Sequence, residues 1–209
     1  MNKSLIEYAE KYSDTESELL KELSRETNLR IYNPRMLSGH LQGRILSMLS
    51  HMIKPKYILE IGTYTGYSAL CLAEGLQPDG VLHTIENNDE LEDFIKNYFN
   101  RCKYKKNIVL HIGDARKIIP TLNITFDLVY IDGNKKEYIE YFNLVINKVN
   151  SGGFIFADNV FWNGKVIDEH EQDEFTNTIR NFNKMIHENQ KLEKVIIPIR
   201  DGLSIIRKK

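Results

Sequence analysis

Cysteine is scarce: 209 residues contain only Cys71 and Cys102. The two are neither spaced as a metal-binding pair nor numerous enough for a disulfide framework. Both fall in segments that read as helical, where a small buried hydrophobe is the expected role. Net charge is lacking as well. With 28 Lys and Arg against 29 Asp and Glu the formal value is −1, which gives no global attraction to nucleic acid or an anionic membrane. No stretch approaches the roughly 18 uninterrupted apolar residues of a spanning helix. The opening Met1-Asn2-Lys3-Ser4-Leu5 carries no apolar leader, so a reducing, cytoplasmic setting is expected. Repeats, low-complexity segments and Pro- or Gly-rich linkers are also missing. One domain over 1–209 is therefore expected, with 1–52 a helical extension and 53–209 the core. The six histidines are scattered, with no H-x-x-x-H pair, and receive no catalytic role.

What is present is an alternation of periods. Residues 4–12 and 15–27 read as helices, the second started by a Ser13/Glu16 capping box. Leu19, Leu20 and Leu23 form its apolar stripe, facing either the core or a partner. Asn33-Pro34 breaks the chain. A helix over 39–52 follows, with Leu41, Ile45, Met48, Leu49 and Met52 on one face. Strands are expected at 57–61, 81–86, 107–112, 126–131 and 154–157, separated by helices at about 67, 89–102, 115–119 and 137–149. Gly152-Gly153 turns the chain into the fifth strand. Phe175, Ile179, Phe182 and Ile186 mark a last helix, and 194–199 with 203–207 form a hairpin about Asp201-Gly202. This pattern predicts an α/β fold: a mostly parallel seven-stranded sheet with an antiparallel C-terminal hairpin and helices on both faces.

Ligands of such sheets bind beyond the carboxyl ends of the strands. The first strand runs Tyr57-Ile58-Leu59-Glu60-Ile61 into Gly62-Thr63-Tyr64-Thr65-Gly66-Tyr67-Ser68. Its glycines allow a sharp turn and close approach of a ligand, although G-x-x-x-G is not the dinucleotide spacing. The second strand ends in Glu86, twenty residues after Gly66, where an acid is placed to accept both ribose hydroxyls. The third ends in Gly113-Asp114-Ala115, small enough for an adenine ring against backbone. The fourth and fifth end in Asp132 and in Asp158-Asn159. Oxygen ligands of this kind suit a hard divalent cation such as Mg²⁺, with Mn²⁺ or Ca²⁺ as alternatives. Lys135, three residues after Asp132, is a candidate general base. Phe161 and Trp162 offer an aromatic wall for a flat substrate.

These segments, with Met36, Gln42-Gly43, Ile131-Asp132-x-x-Lys135-x-x-Tyr138, Asp158-Asn159-Val-Phe-Trp162-x-Gly164 and Asp201-Gly202-Leu-x-Ile, resemble the cation-dependent O-methyltransferases of the caffeoyl-CoA and catechol type from about Met36 onward. The resemblance implies a Rossmann-like methyltransferase domain that uses S-adenosylmethionine. It implies cofactor contacts from Ser38, Glu60, Gly62, Thr63, Gly66, Ser68, Glu86, Gly113, Ala115 and Asp132, and metal ligation by Asp132, Asp158 and Asn159. It further implies Lys135 as base, Met36, Phe161 and Trp162 along the substrate, and a homodimer that uses the N-terminal helices. Asn134 departs from the D-x-D-K run of many members, which bears on acceptor preference. Two acceptor classes stay open, a small vicinal-oxygen compound such as a catechol and a hydroxylated uridine of tRNA. For the latter, Lys103, Lys105, Lys106, Lys208 and Lys209 are the candidate phosphate contacts. A nucleotide-binding module without catalysis is a third reading, weakened by the intact Asp132, Lys135, Asp158 and Asn159.

Overall fold

The structure is a computed structural model and describes residues 3–209. Seven strands form one sheet in the order β3-β2-β1-β4-β5-β7-β6. They are β1 Tyr57–Ile61, β2 Val81–Glu86, β3 Ile108–Ile112, β4 Phe126–Ile131, β5 Val149–Ala157, β6 Leu192–Ile197 and β7 Leu203–Lys208. β1 to β5 pair in parallel, and β7 is antiparallel to both β5 and β6. The chain order reverses between β1 and β4, the switch point at which such sheets open a crevice. The expected topology is therefore the observed one.

The helices are α1 Lys3–Lys11, α2 Glu18–Arg30, α3 His40–Ile53, α4 Tyr67–Ala73, α5 Glu92–Arg101, α6 Ala115–Ile118, α7 Tyr138–Val145 and α8 Glu174–Glu188. α2 to α5 share one apolar core with one sheet face, and α6 to α8 share a second with the other. None of the described helices is long and apolar enough to cross a membrane.

Three local expectations need correction. The cap of α2 is Ser17, whose side chain accepts from the Leu20 amide. Ser13 instead closes α1 by donating to Ala9 O, and Glu16 accepts from the Tyr67 hydroxyl of α4. Leu20 and Leu23 are buried and Leu19 packs against the core, so of the two placements left open the stripe of α2 takes the core. β5 begins at Val149, and Gly152-Gly153 lies inside it, where the register with β4 shifts. The hairpin connection runs over 198–202, longer than a two-residue Asp-Gly turn.

In α3 the buried residues are Gln42, Gly43, Leu46, Ser47 and Ser50, while of the apolar row Leu41, Ile45 and Leu49 pack partly buried against the core. The approach of α4 explains this. A Cβ on Gly43 would meet Tyr67 Cε1 at 2.6 Å and Cys71 Sγ at 2.9 Å. Only small side chains fit there, and the polar ones find partners: Ser50 Oγ donates to Leu72 O, while Ser47 and Arg44 donate to Glu74. Met48 and Met52 are left 59% and 73% exposed. Beside them, Phe154 and Ile205 are only partly buried and Val195 is exposed, on the sheet face that α3 flanks. A groove of about 560 Å³ runs between Leu49, Met52 and Ile53 on one side and Phe154, Phe156 and Ile205 on the other.

Candidate active site

The strand ends around the switch point open into one cavity of about 800 Å³. The turn after β1 builds its floor. Gly62 has φ 100°, and a Cβ there would meet Asp132 O at 2.5 Å, so only glycine lets the first and fourth strand ends approach this closely. Gly62 and Thr63 both donate backbone N–H groups to Ile85 O. Gly66, with φ 94°, starts α4 over the edge of Phe99. Tyr64 takes the left-handed conformation between the two glycines, and its amide donates to Glu86 Oε2 at 2.6 Å. The Asn88 amide donates to Glu86 Oε1 at 2.9 Å. Glu86 is thereby fixed at the rim of the cavity. Burial raises its pKa from the ordinary carboxylate value against these donors.

Glu60 lies one layer deeper. It is fully buried, accepts from Thr84 Oγ1, and its Oε1 has no partner. Burial pushes its carboxyl up to about 8, opposed by hydrogen bonds from Ser68 and Thr84 and aided by the charges of Asp132 and Glu86. A buried carboxylate with an orphaned oxygen is costly unless a donor arrives.

At the other end of the cavity Asp132, Lys135, Asp158 and Asn159 converge. Lys135 is 9% exposed, and three acceptors meet its three donors: Asp132 Oδ1 at 2.8 Å, Gly133 O at 3.3 Å and Tyr138 Oη at 2.7 Å. The Tyr138 hydroxyl donates in turn to Asp158 O at 2.9 Å. Burial raises Asp132 to about 6; Lys135 pulls it down and the Asp158 charge pushes it up. Asn159 sits at φ 57°, a left-handed position that Asn tolerates better than most residues. Trp162 and Asn163 share that conformation. The Asn163 amide donates to Asp201 Oδ1 at 2.6 Å, which ties this loop to the hairpin. Trp162 stacks on Phe175 of α8 with ring centroids 5.7 Å apart.

Most candidate residues from the sequence line this cavity: Met36, Ser38, Gly62, Thr63, Ser68, Glu86, Gly113, Ala115, Asp132, Lys135, Asp158, Asn159 and Trp162. Glu60, Gly66 and Phe161 do not. Glu60 stands behind Ser68, Gly66 packs on Phe99, and Phe161 lies against Gly202, where a Cβ would come within 2.7 Å of its ring. The sequence reasoning missed Tyr64, Asn163, Arg200 and Asp201. Arg200 donates to the carbonyls of Leu37 and Ser38, and the Tyr64 hydroxyl to those of Tyr32 and Asn33, so segment 32–38 is pinned across the cavity mouth. Asp201 was visible as a turn residue and in the Asp201-Gly202-Leu-x-Ile segment of the resemblance, without a site role; no signal marks Arg200. Of the proposed phosphate contacts none lines the cavity. Lys103 lies over the Tyr104 ring, and Lys208 and Lys209 donate to nearby carbonyls.

Among the described residues no group of three or more His, Cys, Asp or Glu is gathered to hold a metal. The donor set is two carboxylates with the Asn159 carboxamide, which suits a hard cation with other positions left to water or substrate. The upward push of Asp132 by the Asp158 charge is a repulsion that a divalent cation between them relieves.

Comparison with known proteins follows this geometry. The model of a family described as O-methyltransferase matches residues 10–209. A catechol O-methyltransferase from Niastella koreensis is 32% identical over 160 residues, covering 75% of this chain and 72% of the relative. Caffeoyl-CoA O-methyltransferase 5 from Nicotiana tabacum is 29% identical over 205 residues, covering 92% and 85%. The structure of O-methyltransferase TomG from Streptomyces achromogenes, involved in tomaymycin synthesis and solved in complex with SAM, superposes with a TM-score of 0.91 at 27% identity, covering 98% of this chain and 96% of that one.

Proposed function

The chain belongs to the O-methyltransferase family, and from that premise we propose that it moves the methyl group of S-adenosylmethionine to a hydroxyl of a small acceptor with neighbouring oxygens, assisted by a divalent cation. The observation that carries this reading is the two-ended cavity. Glu86, oriented by the Tyr64 and Asn88 amides, faces the same space as the Asp132, Asp158, Asn159 and Lys135 cluster.

The first end suits the methyl donor. Glu86 would take the ribose hydroxyls, and Gly113 and Ala115 leave room for the adenine. Glu60 backs this end from behind Ser68. At the second end Asp132, Asp158 and Asn159 would hold the cation. When bound it supplies charge that lowers the pKa of an acceptor hydroxyl, as metals do for water, from the ~10 of a free phenol. Lys135, whose nitrogen stands at the cluster, is the group assigned to take the hydroxyl proton. Tyr138 and the backbone of Gly133 hold its nitrogen at the cluster while it does so. Trp162 and Met36 flank the acceptor and exclude water. Alignment of oxygen, methyl carbon and sulfur is the remaining contribution of the walls. Self-association as a homodimer, through the apolar side of α3 and the open sheet face beside it, belongs to the same reading.

The test is a methyl-transfer screen with S-adenosylmethionine and three acceptor classes: catechols, hydroxycinnamoyl thioesters and tRNA, each with Mg²⁺ and after EDTA. Transfer to a catechol-like acceptor that stops on metal removal is the expected result. Transfer unaffected by complete metal removal rules out the cation. Transfer to tRNA alone rules out the small acceptor.

A further inference from the structure

Asp158 is 4% exposed and is held by more donors than any other carboxylate of the cavity end it belongs to. Its Oδ2 accepts from Gln42 Nε2 at 2.5 Å and from the Tyr130 hydroxyl at 2.9 Å. Gln42 also reaches Tyr130 Oη at 3.2 Å, which closes a triangle of three buried groups. The Asn159 amide donates to Asp158 Oδ1 at 2.8 Å. A carboxylate offers about four lone-pair positions. Two on Oδ2 and one on Oδ1 are occupied, so one remains, on Oδ1.

The donors differ in kind from those of its neighbour. Asp132 has the Lys135 ammonium, a charged partner. Gln42 and Tyr130 are neutral: they orient Asp158 and satisfy it without offsetting its charge. Gln42 is 1% exposed and comes from α3, and Tyr130 is fully buried two residues before Asp132 on β4. Neither lines the cavity, so neither is placed to touch a substrate. An isolated polar pair this deep costs free energy unless every member is bonded, and here the carboxylate completes the bonding.

We infer that Gln42 and Tyr130 are positioning residues for a divalent cation at Asp158: by filling Oδ2 they fix the carboxylate so that its remaining Oδ1 lone pair and its undiminished charge serve the cation. This rests on the cation reading above. Partners of a ligating group that fix its orientation are typically worth about 10–100-fold in metal affinity.

The experiment measures Mn²⁺ binding by electron paramagnetic resonance, and S-adenosylhomocysteine binding by calorimetry, on the full chain. The variants are Gln42→Met, Tyr130→Phe and both together. Expected is Mn²⁺ affinity lower by about 10–100-fold in each single variant, with S-adenosylhomocysteine affinity within about twofold. The double variant should lose less than the product of the two, because both donors serve one oxygen. Tyr130→Phe keeps the ring and removes only the hydroxyl, so it remains informative if Gln42→Met folds poorly. Mn²⁺ binding within twofold of the parent in Tyr130→Phe overturns the positioning role and leaves the cation reading standing. A parent protein that binds no Mn²⁺ overturns both. Mn²⁺ and S-adenosylhomocysteine affinities falling together show general damage to the cavity and overturn the positioning role.

Discussion

Glu60 concentrates the cost of building this cavity at one residue. A fully buried carboxyl raised to about 8 from the ordinary 4.5 carries a proton in the folded state that the unfolded chain releases. Between those two values the folded protein holds more protons, so stability falls as pH rises. The contribution is complete below about 4.5 and gone above about 8. Melting temperature of the ligand-free protein should therefore decline across pH 5 to 8, and Glu60→Gln, which cannot titrate, should flatten that part of the profile. Equal slopes in parent and variant would show that another group sets the profile. Lys135 allows a separate decision. Lys135→Ala should lower turnover by about 10²–10⁴-fold, the usual worth of a positioned acid or base, with S-adenosylhomocysteine affinity changed little. If calorimetry shows the larger loss in cofactor affinity, Lys135 binds and does not catalyse.

At the scale of elements, α3 matters most, because it carries Gln42 to Asp158 and at the same time seats α4, whose first residues line the cavity. The seat depends on Gly43. A methyl group there would lie 2.6 Å from Tyr67 Cε1 and 2.9 Å from Cys71 Sγ, and neither ring nor sulfur has free space to move into, both residues being buried. Gly43→Ala should destabilise the protein by about 1–3 kcal/mol in urea unfolding, the usual cost of overpacking, against the small gain in helix propensity that Ala brings elsewhere. A variant as stable as the parent would mean that α3 shifts outward at no cost. This helix also shows where reading the sequence fails. Its strongest apolar row only edges onto the core, with Leu41, Ile45 and Leu49 partly buried against it and Met48 and Met52 exposed, while the buried row is Gln42, Gly43, Leu46, Ser47 and Ser50. Periodicity reports that a helix has an apolar side, but close helix contact selects small residues, and hydrophobicity does not encode that. The five parallel strands were legible because each ends at a glycine or an acid that interrupts an apolar run, so β2 and β4 fall where the pattern puts them. Arg200 was not legible, since its contacts with Leu37 and Ser38 join segments 162 or more residues apart. Nothing local marks such a pair.

For the whole molecule, the exposed Met48 and Met52 of α3 stand at the edge of a partly covered sheet face. An α/β sheet is ordinarily covered on both faces, yet beside α3 the row Phe156, Ile205 and Val195 runs outward from a buried to an exposed residue. The adjoining groove of about 560 Å³ stands next to the protruding Met48 and Met52. Protrusion and groove on one surface is what a twofold interface requires, because the same patch must supply both halves of each contact. A stable interface buries on the order of 800 Å² per partner with an apolar centre, and α3 with three strand edges offers a patch of that kind. Light scattering at micromolar concentration should accordingly give twice the chain mass. The double variant Met48→Glu, Met52→Glu should run as a monomer, because each copy would bring two carboxylates into an apolar contact. Its far-ultraviolet circular dichroism should be unchanged, since both side chains are exposed within one chain. If the dimer contributes to stability, the melting temperature of the parent rises with protein concentration and that of the double variant does not. A parent that is monomeric throughout this range removes self-association from the reading and leaves the catalytic proposal untouched, because every residue of the cavity comes from one chain.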